Sequence, residues 1–185
     1  MYVVKPHQIS LAFKLFKIYL IAFAVFIALA ILGAQLLEIN MFIIVGLIVS
    51  VVIVIVGTKI VTDYQSRDIA YITDRRLIRF EPTTLFATNP RSLTWDEAVK
   101  VKTYPPNAFW KQLAIGNVVV HARSTIHIDD KGPNAATVDD IELNDVYYYK
   151  DLGNYIDKIL FIYKQKPKEM ETIHVFVPKP RGERY

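Results

Sequence analysis

The sequence contains no cysteine among its 185 residues, and this absence removes several kinds of structural and chemical site. Disulfides, thiolate zinc sites, iron–sulfur clusters and cysteine nucleophiles are all excluded. The chain also lacks the G-x-S-x-G, Walker A, dinucleotide G-x-G-x-x-G and H-E-x-x-H motifs, whose spacings position nucleophiles, phosphates or metals. Since nothing in the sequence indicates an enzyme, a cofactor or a metal site, we expect a non-catalytic protein.

Charge is missing from two long apolar runs in the first third of the chain, at residues 18–37 and 39–58. Each run is about 20 residues long, the length of a helix that crosses the hydrocarbon core of a bilayer. Neither run has the polar face expected of a helix in a small soluble protein. The sequence therefore predicts a transmembrane helical hairpin over residues 15–61, with helices at about 17–37 and 40–59.

Basic residues flank the two runs on the side away from their connection. Lys5, Lys14 and Lys17 precede the first run and Lys59 follows the second, while the connection carries only Glu38. The positive-inside rule then predicts an integral protein of the cytoplasmic membrane, with residues 1–14 and the chain after the hairpin in the cytoplasm. A cleaved signal peptide is the alternative for the first run, but a second apolar run follows it at once.

Small residues recur at four-residue spacing within both predicted spans, and such spacing lets helix backbones approach closely in lipid. These residues are Ala24, Ala28, Ala30, Ala34, Gly46 and Ser50. Packing within the hairpin is the simpler interpretation. The alternative is a face that docks a second copy or another membrane protein, which would make the chain an accessory subunit.

The chain after the hairpin, residues 62–166, alternates apolar and polar side chains over short segments bounded by turn-forming residues. Alternation with a period of two predicts strands, the first two of which form a hairpin around residues 73–76. From about Val146 apolar residues recur at three- and four-residue steps, which predicts a helix over about 147–165. We expect a mainly β sandwich or barrel of about seven strands, capped by this helix.

Two further features belong to the C-terminal part of the chain. Gly153 lies within the predicted helix, where glycine costs about 1 kcal/mol relative to alanine. The basic, Pro-containing tail over 167–185 follows the helix, and its weakly alternating residues 173–177 could add as a strand to an exposed sheet edge. We expect the last residues of the tail, 178–185, to be disordered.

Several stretches of this chain resemble one known family. They are YITDRRLI at residues 71–78, W-x-x-A-V-x-V at residues 95–101, FWKQLAIGNVVVHA at residues 109–122, and the closing helix. Together they resemble the bacterial pleckstrin-homology-like domain of small YdbS-like membrane proteins, which also carry two helices before the domain. The resemblance implies a strongly bent, seven-stranded sandwich or barrel closed by the helix, and it implies no reaction.

A basic cluster in the first predicted hairpin is the candidate for lipid binding. Arg75, Arg76 and Arg79 lie where eukaryotic pleckstrin-homology domains often hold phosphoinositide head groups, and the guanidinium fork suits phosphate. Asp74 and Glu81 lie within pairing distance, so a salt-bridged or solvated hairpin is the simpler interpretation. The predicted alternative function is therefore anionic-lipid binding through this turn.

Aromatic residues provide the candidate surface for a protein partner. Phe109 and Trp110 follow a Pro-Pro turn, and Trp95 begins a strand. Core packing is the simpler expectation, but aromatic side chains at an open end of the sandwich would be suitable anchors for a partner.

One histidine pair could bring nitrogen ligands together. His121 and His127 would face each other in a hairpin centred on Ser124, with Asp129 and Asp130 nearby. Paired polar residues on an exposed sheet face are far commoner than a metal site, so we predict no metal here.

Residues 62–185 carry nearly balanced charge, which does not suggest a nucleic-acid surface. Our overall prediction is a non-catalytic interaction module anchored at the inner membrane. Its expected partners are the membrane itself and another protein or a second copy.

Overall fold

The computed structural model of the chain describes residues 2–36, 39–84, 86–123, 140–165, 167, 170 and 173–177. The chain divides into two compact units. Gln8–Ser66 forms one, and Met1–His7 together with Arg67–Tyr185 forms the other. We refer to them as the helical hairpin and the β domain.

The helical hairpin consists of α1, Gln8–Gln35, and α2, Ile39–Arg67. Both helices are long and apolar enough to cross a membrane, and only 6% of the most apolar window of each is buried. The prediction of two long apolar helices is confirmed. Both extend beyond the apolar runs on the side away from their connection, α1 by residues 8–17 and α2 by residues 59–67.

Small residues bring α1 and α2 together within the hairpin. A Cβ atom added at Gly33 would lie 2.5 Å from Cβ of Phe42, so only glycine allows this approach. Gly46 is buried against Phe26 and Leu29. The Ser50 hydroxyl donates to the carbonyl oxygen of Ala22 at 3.0 Å, which satisfies its polar group inside the helix pair.

The first sheet of the β domain has four antiparallel strands in the order β1-β2-β3-β4. The strands are β1 Tyr2–Val4, β2 Ile69–Ile72, β3 Arg76–Pro82 and β4 Thr88–Thr94. The strand β1 was not anticipated from the sequence, because three residues are too few for a period-two pattern to stand out.

The second sheet has three antiparallel strands in the order β5-β6-β7. These are β5 Ala98–Tyr104, β6 Ile115–Ala122 and β7 Ile141–Tyr147, with the short helix α3 at Ala108–Gln112 and the C-terminal helix α4 at Tyr149–Gln165. The described residues thus contain two antiparallel sheets of seven strands in total and a C-terminal helix, which confirms the predicted fold at this level.

The core of the β domain lies between the sheets and α4. Trp95, Leu77, Val118 and Leu152 are completely buried within it. The indole Nε1 of Trp95 donates to the carbonyl oxygen of Thr73 at 3.0 Å, so this large side chain is also satisfied as a donor. Trp95 therefore packs in the core, which was the simpler of the two expectations for this residue.

Gly153 is placed where α4 meets β5. A Cβ atom added there would lie 2.2 Å from Cγ2 of Thr103. Glycine has a low helix propensity, but at this position it lets α4 lie close to the sheet. The sequence-based view of Gly153 as only a cost to the helix was therefore incomplete.

The tail contacts the core through Phe176, and Met170 and Ile173 are partly buried against the same core. Phe176 is buried, with its ring centroid 5.0 Å from that of Tyr2 and 5.3 Å from that of Tyr155. Residues 173–177 form no strand, so they do not extend a sheet edge. The expectation of disorder over 178–185 lies outside the described residues.

Candidate functional site

The β domain has two ends that can be defined by its strands. Because β1 pairs antiparallel with β2, Val4 lies opposite Ala70 and Tyr2 lies opposite Ile72. The segment from β1 to α1 and the segment from α2 to β2 therefore both lie on the side of the domain where Val4 and Ala70 are paired. We call this side the junction end. The turn between β2 and β3 lies at the other end of the same strands, which we call the turn end.

The turn end contains two of the three predicted arginines. Arg75 and Arg76 are exposed in the tight connection between β2 and β3. The Thr73 hydroxyl accepts from the Arg76 amide at 3.0 Å and donates to its carbonyl oxygen at 2.7 Å. This hydroxyl closes the turn, so the motif that includes Arg75 and Arg76 has a clear local structural role.

Arg79 is separated from that pair, because its side chain points into the domain and is only 6% exposed. Its Nε and Nη2 atoms donate to the two carboxylate oxygens of Asp68 at 3.0 and 2.9 Å, and Nη1 donates to the carbonyl oxygen of Glu142. This bidentate pair joins the start of β2 to both sheets. Arg79 is therefore not part of an exposed phosphate-binding cluster.

Acidic groups accompany the remaining arginines at the turn end. Asp74 is exposed in the turn itself, and the Tyr163 hydroxyl donates to Asp96 at 3.1 Å. The hydrogen bond to Asp96 raises the pKa of Tyr163, while the charge of nearby Arg75 opposes that rise. The turn end is therefore a mixed-charge surface, which weakens the case for binding an anionic head group there.

The predicted aromatic pair lies on α3. The Asn107 side chain caps this helix by accepting from the Trp110 amide at 3.0 Å. Phe109 is 50% exposed and Trp110 is half-buried, with their ring centroids 6.1 Å apart in an edge-to-face arrangement. Both residues therefore present aromatic surface outside the main core.

Backbone contacts place α3 at the junction end. The Tyr148 amide donates to the carbonyl oxygen of Ala114, just after α3, at 2.8 Å. The His7 amide donates to the carbonyl oxygen of Asp145 at 2.8 Å, and the His7 ring lies 4.8 Å from that of Tyr147. The segment that leaves for α1 is thus bound directly to the end of β7, beside α3.

The turn between β3 and β4 also belongs to the junction end. Ile69, the first residue of β2, lies opposite Phe80, and β3 continues past it to Pro82. Phe86 in this turn is 91% exposed, the largest exposure of any large apolar side chain among the described residues. Its neighbours in the sequence are threonine, leucine and alanine residues, and no sequence pattern distinguished it.

The second sheet holds polar contacts that the sequence did not reveal. The Tyr104 hydroxyl donates to Glu142 at 2.6 Å, and Asn117 donates to the same carboxylate oxygen at 2.9 Å. Burial, followed by the hydrogen bond to Glu142, raises the pKa of Tyr104. These residues come from three strands, and period-two alternation predicts their face but not their pairing.

His121 is paired with a residue other than the one considered from the sequence. Its Nδ1 lies 2.8 Å from a carboxylate oxygen of Asp140, whose side chain is fully buried and also accepts from the Ala122 amide. His127, Asp129 and Asp130 lie outside the described residues. Within the described part of the chain, no group of three or more histidine and acidic residues could hold a metal ion.

The small residues of the hairpin divide between two sides of the helices. Gly46 is buried in the hairpin and Ser50 is half-buried against α1, as packing within the hairpin requires. Ala24, Ala28 and Ala34 are exposed on α1, and Ala30 is half-buried. The four-residue spacing identified both groups, but it could not tell which one faces the partner helix.

The arrangement defines a class in broad terms, namely a two-sheet β domain closed by a helix and preceded by two long apolar helices. No family model, curated protein or solved structure matches this chain. Its function is therefore argued from its own residues.

Proposed function

We propose that this protein is a non-catalytic membrane anchor whose β domain, resembling a pleckstrin-homology-like domain, acts as an interaction module on the cytoplasmic side. The observation that carries the proposal is the exposure of the apolar side chains of α1 and α2. Exposed apolar surface on this scale is unfavourable in water and favourable in a lipid bilayer.

The pairing of β1 with β2 supports a hairpin topology. Residues on either side of the two helices, Val4 and Ala70, are neighbours in one sheet. They must lie on the same side of any membrane that α1 and α2 cross, so the helices cross it as a pair. The basic residues Lys5 and Lys59 favour the cytoplasm for that side.

Thiol labelling tests this proposal, since the chain has no cysteine of its own. We expect Asn40→Cys, at the start of α2, to react with a membrane-impermeant maleimide in intact cells. The matched variant Arg75→Cys, in the exposed β2–β3 turn, should react only after the membrane is permeabilised. Reaction of Arg75→Cys in intact cells, or extraction of the chain from membranes by alkaline carbonate, would overturn the proposal.

Docking of another membrane protein through α1 is a second candidate function. The observation in its favour is that Ala24 and Ala28 are exposed on α1, away from the packed face of Gly46 and Ser50. Cysteine crosslinking from Ala28→Cys in native membranes tests it. A specific adduct at Ala28, absent at the exposed control Ile44→Cys on α2, is the expected result.

A further inference from the structure

We infer that the C-terminal tail is a latch that holds β1 on the β domain through Phe176. Phe176 fills a site between β1 and α4, and its withdrawal frees β1 and the edge of β2 that β1 covers. All of these residues lie within the β domain. The inference therefore goes beyond the proposed function, and it holds whether or not α1 and α2 cross a membrane.

The site that Phe176 fills is made by two tyrosines that are far apart in the sequence. The buried Phe176 ring lies edge-to-face against Tyr2 of β1 and is tilted against Tyr155 of α4. The Tyr155 hydroxyl is also hydrogen-bonded to the backbone of Phe176. Burial raises the pKa of both tyrosines, as expected for rings in a partly desolvated site. One side chain of the tail thus joins β1 to α4.

Phe176 is the principal anchor of the described part of the tail. Residues 173–177 form neither a helix nor a strand, and Val175 and Val177 are 58% and 72% exposed. Ile173 is only partly buried against the core. Because the tail is held mainly by one ring and pairs with no strand, it can leave its site without breaking either sheet.

The strand β1 is the element that depends on this anchor. It is an edge strand with only three residue pairs to β2, and so short a ladder is marginal by itself. Beyond its Val4 end, the His7 amide donates to the carbonyl oxygen of Asp145 at 2.8 Å. At its other end, Tyr2 contacts Phe176. Contacts at both ends therefore decide whether β1 stays paired.

Withdrawal of Phe176 has a defined consequence for the first sheet. When β1 separates, the backbone groups of β2 that paired with it lose their partners. Val4, which is only 5% exposed while β1 is paired, leaves the core with it. The tail therefore controls whether this edge of the first sheet is closed or open.

Amide hydrogen exchange of the detergent-solubilised full chain, followed by mass spectrometry, tests this inference. The test variant is Phe176→Ala. The matched control is Phe161→Ala, which removes the same kind of ring from α4 at a position that is 53% exposed. Exchange is measured in peptides that cover β1, β2 and β6.

We expect exchange in β1 and β2 to become roughly tenfold faster in Phe176→Ala, since burial of one large apolar side chain shifts an opening equilibrium by about that factor. The peptides of β6 should keep their protection, and Phe161→Ala should behave like the unchanged chain. Unchanged exchange in β1 and β2 would overturn the inference. An equal loss of protection in β6 would also overturn it, because Phe176 would then be an ordinary core residue.

A reciprocal measurement tests whether the tail and β1 are coupled, because coupling between two sites acts in both directions. Tyr2→Ala removes the ring on β1 that Phe176 contacts, so exchange in residues 173–177 should become faster. The matched variant Tyr2→Phe keeps the ring and should leave the exchange of these residues close to that of the unchanged chain. Exchange in 173–177 that is unaffected by Tyr2→Ala would show that the two segments are independent and would refute the latch.

Discussion

The helical hairpin and the β domain contain similar kinds of apolar side chain but use them in opposite ways. In α1 and α2 the buried residues are few and small, namely Ser10, Ala22, Gly33 and Gly46. In the β domain the buried residues are large, and Trp95, Leu77, Ile115 and Leu152 are completely enclosed.

This difference is the one expected if α1 and α2 lie in lipid, as proposed, while the β domain lies in water. In water, burial of large apolar side chains drives folding. In lipid there is no such gain between helices, so close packing of small residues and internal hydrogen bonds hold them together. The same residue types therefore have different roles in the two units.

The largest effect that separates the two units is expected for Trp95→Ala. Removing this enclosed ring should destabilise the β domain by about 3–5 kcal/mol, because it leaves a cavity and loses apolar burial. Denaturant unfolding of the detergent-solubilised full chain, followed by the emission of Trp110, measures this loss. Retention of the variant chain in the membrane should be unchanged, and a chain lost from the membrane would contradict the independence of the two units.

The complementary change is Ala24→Arg within α1. Arginine near the centre of a span costs about 2.5–3.5 kcal/mol of insertion free energy, so the fraction of chain integrated into membranes should fall. The control Asn154→Arg adds the same charge on the exposed face of α4 and should integrate normally. Equal integration of both variants would argue against lipid around α1.

A smaller effect, opposite to simple helix propensity, is expected for Gly153→Ala. Propensity alone would stabilise the helix by about 1 kcal/mol. The new Cβ would meet Cγ2 of Thr103, so we expect a net loss within the about 1–3 kcal/mol typical of overpacking.

The double variant Gly153→Ala with Thr103→Ser removes the methyl group that causes this contact and should recover the lost stability. Thermal unfolding of the three chains measures both steps. If Gly153→Ala alone were stabilising, the close approach of α4 to β5 would be refuted.

The smallest effect concerns the pH dependence of stability at the junction end. Burial lowers the pKa of His7 below its usual value of about 6.5. The stability that the neutral His7 ring contributes is therefore fully present when the pH is above the pKa of His7 in the unfolded chain. It is lost as the pH falls through the lowered pKa of His7 in the folded chain.

His7→Phe keeps an aromatic contact with Tyr147 and removes the titration. The denaturation midpoint of His7→Phe is compared with that of the unchanged chain at neutral and at mildly acidic pH. We expect the midpoint of His7→Phe to rise relative to that of the unchanged chain as the pH is lowered. A difference that does not vary with pH would show that His7 titrates equally in the folded and unfolded chain.

Local patterns predicted most of the fold and less of the sites. Charge-free length identified α1 and α2, and a period of 3.6 identified α4, because these signals lie in consecutive residues. The ion pair of Arg79 with Asp68 could not be predicted, since it depends on which face of β3 turns inward. The pairs Tyr104 with Glu142 and His121 with Asp140 depend on strand register, which is set by turn geometry as well as by the pattern within each strand.

Phe86 shows the other limit of sequence reasoning. No sequence pattern showed whether this side chain packs onto the core, and its 91% exposure in the structure shows that it does not. By contrast, Phe109 and Trp110 were recognised from the Pro-Pro turn before them. Their position at the junction end followed from contacts of Ala114 and Tyr148, which are remote in sequence from the chain links.

The strand β1 has a consequence for the way this chain is made. Tyr2–Val4 is synthesised before both apolar helices, and its partner β2 is synthesised only after them. Until both helices have been synthesised, β1 and the edge of β2 that it pairs with have no partner, and an unpaired edge invites aggregation. If α1 and α2 cross a membrane as proposed, a chain with only one helix inserted would hold β1 and β2 on opposite sides of the bilayer, so pairing of these two strands would report insertion of both helices.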